Sequence, residues 1–398
     1  MVPVGGPVPK TMRILFVQDH LRTGGAAKCA LRMRKLCEEL GHETLTLHGD
    51  EDTAPGVSSH VLHGKSTGLD RLRETLADQE TRQRRRKEKA EKRLRRFLQE
   101  RPFDLVWFHN TAGAAKWGWT QEWIAVALLQ GRVAVTLHDM EYLGVGSPYV
   151  WDRPLLPSRF AGLAPAQASE WIQQGKLHLS ACSDWLAKLC HDLYGLKAER
   201  LTVPLWPEDF RDQPRRRPTF PAIHYLMASE RLDDPRKNIL PTLDLLFRHQ
   251  ILEKTNSRVF CLGRNFPDRF KSPRVTSLGH LENRRQFRAV YDQVDFLLHP
   301  SLLDNFPLLI QESLAQGCPV VALNRGGVGE AVIEGRGGRL LTEWKADSLE
   351  QVFTEFSRQS DPDYTDLSSR ALASARDLFQ ADRLAARYRA YLDKIHHG

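Results

Sequence analysis

The amino-acid sequence predicts an α/β protein with two doubly wound parallel sheets, one in each half of the chain. Short, fully apolar segments alternate with segments whose apolar residues recur every three or four positions. This alternation is typical of buried parallel strands joined by helices. It stops at a Pro- and Arg-rich interval, residues 204–221, and then starts again. A chain of 398 residues is long enough for two domains that each bury a core.

The first half begins with a Pro- and Gly-rich leader at residues 1–11, after which the apolar segment 14–17 predicts a strand. Gly24 and Gly25 stand at the start of a predicted helix, and the apolar side chains within residues 29–40 follow helical spacing. Further strands are predicted at residues 43–47, 105–108 and 133–137, and a charged helical arm at 69–100.

The second half repeats this pattern after the 204–221 interval, which predicts a linker. Strands are predicted at residues 223–227, 259–262, 275–278, 296–298 and 319–322, and helices from Ile239, near 286–290 and from Leu308. We expect a first domain at residues 12–205, a second at 206–374, and an amphipathic helix at 375–398 that crosses back to the first. Two such domains would leave a cleft at the carboxyl ends of their strands, where open α/β sheets bind ligands.

The net charge of +8 is concentrated in one segment of the arm. From Arg82 to Arg96 there are ten basic and two acidic side chains, and the rest of the chain carries 47 of each sign. A solvated helix face and a surface for anionic lipid headgroups explain this segment equally well, because headgroups attract cations by about 1 kcal/mol each. Nucleic acid is a weaker alternative, since no aromatic residues are interleaved with the basic ones.

The six cysteines are scattered and lack Cys-x-x-Cys spacing, which favours buried reduced thiols over disulfides or zinc. No apolar run approaches the roughly eighteen residues that span a bilayer, and no secretory signal precedes the first strand. These features predict a cytoplasmic protein, with peripheral attachment to the inner face of the membrane if the arm binds lipid.

The segment from His299 to Ala322 is the most informative part of the sequence. A predicted strand ends in a loop that contains Asp304, and the next helix contains Glu312 eight residues later. Two carboxylates beside helix N-terminal N–H groups suit a polyhydroxylated ligand, Asp304 for sugar hydroxyls and Glu312 for a ribose diol. Two acids in isolation would more often be a helix N-terminal residue and a surface glutamate.

The wider pattern resembles the retaining glycosyltransferases of family 4, whose signature is Pro-Ser-x-x-Glu-x-Phe-Gly-(x)4-Glu-Ala-x-Ala-x-Gly-x-Pro-Val-Val. The matching residues are Pro300, Ser301, Phe306, Glu312, Ala315, Gly317, Pro319, Val320 and Val321. Asp304 replaces the usual glutamate, and Pro307 replaces a glycine and removes one N–H donor. The resemblance implies a GT-B fold of two facing Rossmann-like domains, with the donor held mainly by the second.

A basic loop follows the first strand of the second half. Arg231 and Lys237 stand six residues apart, so they are able to close on a diphosphate from two sides, although such a pair is usually a solvated surface. The loop resembles the Gly-Arg…Arg-Lys-Gly segment of phosphatidylinositol mannosyltransferases, in which the first Arg and the Lys bind the donor phosphates. Glu230 and Asn238 replace the flanking glycines. The resemblance implies that both cations stabilise the charge of the leaving diphosphate.

Three loops of the first half carry further candidates. Gly24 and Gly25 either let the backbone approach a ligand at a helix N-terminus or form a tight turn. His109-Asn110 and His138 each follow a predicted strand, although a lone histidine is more often structural. The resemblance implies that the two glycines place amides near the phosphates and the acceptor, and that His138 faces the transferred sugar.

The candidate site is assembled from these loops. Catalytic roles are assigned to His138, Asp304, Arg231 and Lys237. Donor binding is assigned to Gly25, Arg231, Lys237, Asp304, Asn305, Phe306, Leu308 and Glu312. The acceptor side is assigned to Gly24, His109 and Asn110. The loop from Gly326 to Glu330 resembles a Gly-Gly-x-x-Glu loop of the family and is assigned to the shape of the donor pocket.

The resemblance implies a hexosyltransferase that moves a sugar, with retention, from a UDP- or GDP-sugar to a glycan or lipid-linked acceptor in cell-envelope polysaccharide assembly. No cofactor or metal is expected, because the family uses protein cations and helix capping explains Asp361 and Asp363. Three alternatives stay open: a sugar-nucleotide epimerase of the same fold, a binding homologue without turnover, and a nucleic-acid-binding protein that acts through its basic arm. Donor hydrolysis and deletion of the arm distinguish them.

Overall fold

The computed structural model describes residues 11–397 except 23, 51–53, 63–77, 112–118, 121, 140–141, 143–163, 218–221 and 282–283. Most of the predicted leader therefore lies outside the described residues. The chain divides into two compact units. Unit 1 comprises Met1–Pro204 and Leu384–Gly398, and unit 2 comprises Leu205–Arg383.

Unit 1 contains a seven-stranded parallel sheet with the strand order β3-β2-β1-β4-β5-β6-β7. Its strands are β1 Arg13–Val17, β2 Glu43–His48, β3 Ser59–Val61, β4 Leu105–Phe108, β5 Arg132–Leu137, β6 Leu177–Ala181 and β7 Ala198–Arg200. All four strands predicted for the first half are present. Their apolar residues are buried on both faces of the sheet, as expected for parallel strands covered by helices.

The helices of unit 1 begin with α1, which starts at Gly25. They are α1 Gly25–Glu39, α2 Gln79–Glu100, α3 Trp123–Leu128, α4 Pro165–Gln173 and α5 Asp184–Tyr194. Helix α2 confirms the helical arm over Gln79–Glu100, and residues 69–77 of that prediction lie outside the described residues. It buries one narrow stripe, Ala90, Leu94, Phe97 and Leu98, against the core. Its basic side chains lie on the remaining faces, where several form i,i+4 ion pairs.

Unit 2 contains a six-stranded parallel sheet with the order β10-β9-β8-β11-β12-β13. Its strands are β8 Ile223–Arg231, β9 Ser257–Arg264, β10 Val275–Gly279, β11 Phe296–His299, β12 Val320–Leu323 and β13 Gly338–Leu341. Its helices are α6 Ile239–Arg248, α7 Ile251–Lys254, α8 Arg284–Tyr291, α9 Leu308–Ala315, α10 Val328–Ala331, α11 Ala346–Ser357 and α12 Asp361–Phe379. The predicted doubly wound α/β fold is confirmed for both halves of the chain.

The C-terminal region corrects one prediction. The sequence predicts one helix over residues 375–398, but the structure has two, α12 and α13 (Ala381–His397), separated by Gln380 in extended backbone. Leu205 holds the break, because its N–H donates to Phe379 O (2.7 Å) and its carbonyl accepts from Ala381 N (2.8 Å). Helical periodicity continues through Gln380, so the sequence pattern does not reveal this long-range backbone pairing.

Helix α13 joins unit 1 from Leu384 onward. The Tyr388 hydroxyl donates to Thr202 O (3.0 Å), and the Tyr391 ring lies 5.6 Å from the Trp107 ring. None of the helices in the described ranges is both long and apolar enough to cross a membrane.

The interval predicted as a linker, residues 204–221, is largely part of unit 2 where it is described. Arg215 is only 3% exposed, and its guanidinium donates to the carbonyls of Tyr291 and Val294. The N–H of Arg215 donates to Ser368 Oγ (2.8 Å). A buried guanidinium must find acceptors, and these carbonyls fix residues around Arg215 to the unit.

Candidate functional site

The centre of the candidate site in unit 2 is the point where the strand order reverses. Strand β8 pairs with β9 on one side and β11 on the other, and successive strands then proceed outward in both directions. At such a switch point the loops that follow the two central strands diverge and leave a crevice for ligands. The loops here are residues 232–238 after β8 and residues 300–307 after β11.

A close ion pair joins these two loops. Lys237 Nζ lies 2.5 Å from Asp304 Oδ2, and the two side chains are 27% and 13% exposed. His299 Nε2, at the end of β11, lies 3.6 Å from the same carboxylate oxygen. Burial favours the neutral acid, but Lys237 and His299 outweigh it and hold the pKa of Asp304 well below its usual range. Asp304 is therefore an anionic acceptor at neutral pH.

Backbone contacts hold the same two loops in register. The Arg236 carbonyl accepts from Leu302 N (2.8 Å) and from Ser301 Oγ (3.2 Å). The loops are thus fixed by uncharged hydrogen bonds as well as by the ion pair, so the spacing between Lys237 and Asp304 does not depend on charge alone.

A third loop, after β12, packs against the Asp304 backbone. Gly327 N donates to Asp304 O (2.9 Å). Gly326 has φ +64°, and a Cβ placed on it would lie 2.2 Å from Asp304 O. Only glycine accepts both this positive φ and this close approach, so Gly326 lets the loop after β12 pack directly against the Asp304 backbone. The shaping role of the loop from Gly326 to Glu330 in the donor pocket stays a prediction.

Helix α9 starts at Leu308, where the sequence predicted it. Asn305 and Phe306 are 5% and 6% exposed, and the Phe306 ring meets Phe379 edge-on at 5.9 Å. These side chains anchor the turn into the helix, whose first N–H groups point toward the crevice end of the sheet. Leu308 is half-buried at the first helical position.

Glu312 and Arg231 lie beside residues other than Lys237 and Asp304. Glu312 is half-buried on the second turn of α9, near Tyr291, whose pKa is raised by burial and then by Glu312. The Arg231 side chain is 64% exposed at the end of β8 and forms two hydrogen bonds to Asp233 (3.0 and 3.1 Å). The structure thus joins Lys237 to Asp304 directly, and it places Arg231 at the end of β8 and Glu312 on α9.

Unit 1 has its own switch point, between β1 and β4. Asp19 N donates to Asn110 O (2.6 Å), which joins the loops that follow these two strands. Gly24, with φ +93°, is the N-terminal cap of α1, and Gly25 is its first residue. Both glycines are exposed, and a Cβ on either would meet nothing within 4 Å. The loops after β1 and β4 thus meet at the carboxyl edge of the sheet.

The histidines at this edge are coupled to each other. His109 is 1% exposed and stacks on Phe16 and Trp107. Its Nδ1 lies 3.2 Å from His138 Nε2. Burial, and then the charge of His138, lowers the pKa of His109 well below its usual value, so His109 is neutral. It lies beneath the surface of the site and contacts the half-buried His138.

Sequence analysis missed two groups of residues here. His48 Nδ1 (2.8 Å) and His20 Nδ1 (3.1 Å) both contact the Asp50 carboxylate, whose pKa they lower against the effect of burial. Cys29 and Cys182 lie beside His138, and one ligand atom of each of these three residues is within 4.8 Å of the others. The hydrogen bond with Cys182 lowers the pKa of Cys29, burial raises it, and His138 lowers it again. The resulting pKa of Cys29 is about 5. Position at or just after the end of a strand, as for His48 and Cys182, would have indicated some of these residues.

Comparison with known proteins finds a family match within unit 2. Residues 225–357 match the family model described as Glycosyl transferases group 1, which confirms the predicted resemblance at that level. Over 101 residues, the chain is 28% identical to the putative colanic acid biosynthesis glycosyltransferase WcaL of Salmonella typhimurium, covering 24% of this chain and 25% of the relative. Over 76 residues, it is 34% identical to the D-inositol 3-phosphate glycosyltransferase of Paenarthrobacter aurescens, covering 18% of each. The matches thus span a quarter or less of these relatives.

Solved structures resemble nearly the whole chain. Anabaena Alr3699/HepE in complex with UDP and glucose superposes with a TM-score of 0.66 at 17% identity, covering 96% of this chain and 99% of that one. TarM gives a TM-score of 0.70 at 8% identity, covering 98% and 99%. WaaG, a glycosyltransferase involved in lipopolysaccharide biosynthesis, gives 0.66 at 16% identity, covering 97% and 100%. The fold of this chain is therefore that of GT-B glycosyltransferases.

Proposed function

We propose that this protein is a retaining glycosyltransferase that moves a sugar from a UDP- or GDP-sugar to a glycan or lipid-linked acceptor in polysaccharide or lipopolysaccharide assembly. The observation that carries the proposal is the Lys237–Asp304 pair, which lies at the switch point of unit 2 and inside the segment that matches group 1 glycosyl transferases. The names of the relatives, which concern colanic acid and lipopolysaccharide, support the acceptor class.

Lys237 is suited to bind the donor diphosphate without releasing Asp304. An ammonium group has three N–H donors, and the ion pair with Asp304 uses one of them. The remaining donors are able to reach phosphate oxygens. Negative charge grows on the diphosphate as the sugar leaves, so a cation held in place beforehand stabilises the transition state more than the ground state. Asp304 in turn accepts hydrogen bonds from sugar hydroxyls.

Arg231 would provide the second cation. Its present partner, Asp233, forms an exposed ion pair of the kind that contributes about 0–1 kcal/mol. Hydrogen bonds to a charged group contribute about 1.5–3 kcal/mol, so exchange of Asp233 for a phosphate is favourable. We assign charge neutralisation of the diphosphate to Arg231 and Lys237 and expect no divalent cation to be required for it.

The remaining assignments follow the two switch points. In unit 2, Glu312 would accept the ribose diol, while Asn305, Phe306 and Leu308 shape the start of α9. In unit 1, Gly24, Gly25 and Asn110 would provide backbone and amide groups toward the phosphates and the acceptor.

The paired histidines of unit 1 complete the assignment. We assign His138 to the transferred sugar. His109, predicted for the acceptor side, lies beneath the surface and would act there by supporting His138 through the 3.2 Å contact. An imidazole nitrogen suits hydroxyl groups, which both donate and accept hydrogen bonds.

Thermal denaturation in the presence of a panel of nucleotide sugars tests the donor site. The cognate donor should raise the Tm of the wild-type protein, because a ligand that binds the folded state stabilises it. The Lys237→Ala and Glu312→Ala variants should lose that shift. Lys254→Ala is the matched control, since Lys254 pairs with Glu350 on the surface of the same unit (2.9 Å) and should keep the shift.

Two results would contradict the proposal: no nucleotide sugar shifts the wild-type protein, or Lys237→Ala responds as the wild type does. Product analysis with donor alone and with donor plus acceptor glycans then identifies the reaction. Glycan extension with retained anomeric configuration supports a transferase, epimerised donor identifies an epimerase, and an unchanged bound donor identifies a binding protein.

A further inference from the structure

Three side chains that are able to bind a transition metal, two cysteines and one histidine, lie close together at the carboxyl edge of the unit 1 sheet. Cys29 comes from the second turn of α1, His138 follows β5, and Cys182 follows β6. One ligand atom from each residue lies within 4.8 Å of the other two. Cys29 and Cys182 are 5% and 2% exposed, and His138 is half-buried. Three separate elements therefore converge on one point.

We propose that Cys29, His138 and Cys182 form a binding site for a thiophilic divalent cation, with Zn²⁺ the best match. Tetrahedral zinc has bonds of about 2.3 Å to sulfur and about 2.0 Å to imidazole nitrogen, which places its ligand atoms roughly 3.5–4 Å apart. The observed spacing within 4.8 Å requires only small side-chain adjustments to reach this geometry. Zinc would complete its coordination with a water molecule or another ligand atom. With one ring nitrogen on zinc and the other at His109, His138 in the zinc-bound protein would leave the contact with the transferred sugar to other groups.

The three ligand side chains determine which class of cation the site would bind. Two thiolates and one neutral imidazole balance the charge of a divalent ion, which is the condition for burying it at low cost. Sulfur and imidazole favour zinc, whereas magnesium and calcium require oxygen ligands, which this group of three does not offer. A thiol that is still protonated would release its proton to solvent when the metal binds.

The surroundings also hold the histidine as a metal ligand requires. His109 Nδ1 lies 3.2 Å from His138 Nε2, and Phe16 and Trp107 stack on His109. Ligand histidines are typically oriented by a hydrogen bond to their second nitrogen, and here a buried imidazole provides it. Sequence spacing could not reveal the site, because its members are separated by 109 and 44 positions.

Metal analysis of the full-length protein tests the site directly and does not depend on the proposed transferase activity. Protein purified with zinc and without chelators should contain about one zinc per chain. After chelation under reducing conditions, added Co²⁺ should produce thiolate-to-cobalt charge-transfer absorption and the intense visible bands of tetrahedral cobalt. Zinc should then displace the cobalt and remove both absorptions.

Variants localise the metal. Cys29→Ser and Cys182→Ser should each weaken cobalt binding at least tenfold and lose the charge-transfer absorption in proportion to the missing sulfur. Cys190→Ser is the matched control, since Cys190 is buried in α5 of the same unit and should leave binding unchanged. If a serine variant fails to fold, zinc protection of Cys29 and Cys182 from alkylation in the partly denatured wild type provides the same test.

Three outcomes would overturn the proposal. The reduced wild-type protein could take up no zinc and show no cobalt spectrum. Folded Cys29→Ser and Cys182→Ser could bind cobalt as the wild type does, which would locate the metal elsewhere. The two thiols could instead be joined in a disulfide, detected as a mass loss of two hydrogens, with no metal uptake after reduction.

Discussion

The two units present the same topological position with different chemistry. In unit 2 the switch point holds a charged pair, Lys237 and Asp304, which remain partly exposed. In unit 1 the corresponding edge holds the neutral His109, half-buried His138 and two buried thiols. Both sheets are parallel and both reverse strand order at the loops in question. The two sheets therefore share a topology, and the residues that follow their strands give the two edges different chemistry.

The way each edge is held in place also differs. Unit 2 uses backbone contacts and a positive-φ glycine to position a carboxylate that keeps access to solvent. Unit 1 uses aromatic stacking around His109 and contacts between polar side chains. Partly exposed charges suit an ionic ligand such as a diphosphate, whereas a buried thiol and imidazole group suits a soft cation or uncharged hydroxyl groups.

The largest effect is expected at Gly326, which would break the positioning of the unit 2 loop. In Gly326→Ala the new methyl would lie 2.2 Å from Asp304 O, so the loop must move. We expect about 3 kcal/mol of lost stability, together with loss of the nucleotide-sugar thermal shift.

Gly335→Ala separates this clash from backbone strain. Gly335 has φ +74°, but a Cβ on it meets nothing within 4 Å, so only strain of about 1–2 kcal/mol is expected. Urea unfolding of both variants measures the difference. Equal destabilisation by the two substitutions would show that Gly326 does not support the Asp304 loop.

An intermediate effect is expected for Asp304→Asn, which tests whether charge stabilises unit 2. The pKa of Asp304 is lower in the folded protein than in the unfolded chain. The charged carboxylate therefore stabilises the folded state fully above the unfolded carboxyl pKa, about 3.9, and this stabilisation is lost as the pH falls through the folded pKa. The variant should be about 1–3 kcal/mol less stable at pH 7, and the difference from wild type should shrink below about pH 4.

Denaturant unfolding from pH 7 to pH 3 measures this change. Asp268→Asn is the control, because Asp268 is 85% exposed and pairs with the exposed Lys271, so its substitution should be nearly neutral at every pH. A deficit for Asp304→Asn that stayed constant with pH would assign the effect to packing instead of charge.

The smallest effect per substituted residue is expected for vesicle binding by the basic face of α2. The sequence identified this face by its excess of positive charge. Exposed cations on this face include Arg84, Arg85, Lys92 and Arg93. If the face binds anionic lipid, each substitution to Gln should weaken vesicle binding by about 1 kcal/mol without changing the Tm. Flotation with anionic and with neutral vesicles measures it. Equal flotation with the two lipid mixtures would leave the arm as a solvated helix face.

Much of the fold followed from the sequence because parallel strands and amphipathic helices leave strong local patterns. The strand at Leu105–Phe108 was predicted to the residue, and α9 begins at Leu308, about where it was predicted. The break at Gln380 and the burial of Arg215 were not, because each depends on partners distant in the chain: Leu205 for the former, and Tyr291 and Val294 for the latter.

The two α/β halves and the candidate donor loops, with Lys237, Asp304 and Glu312, could be predicted from the amino-acid sequence. The pairing of Lys237 with Asp304, the support of that loop by Gly326 and the meeting of Cys29 and Cys182 at His138 became visible only in the folded chain. The difference lies in how far apart along the chain the interacting residues are. Hydrophobic periodicity and motif spacing report neighbours within one element, whereas an ion pair or a group of ligand atoms forms only when separate elements are brought to the same edge of a sheet.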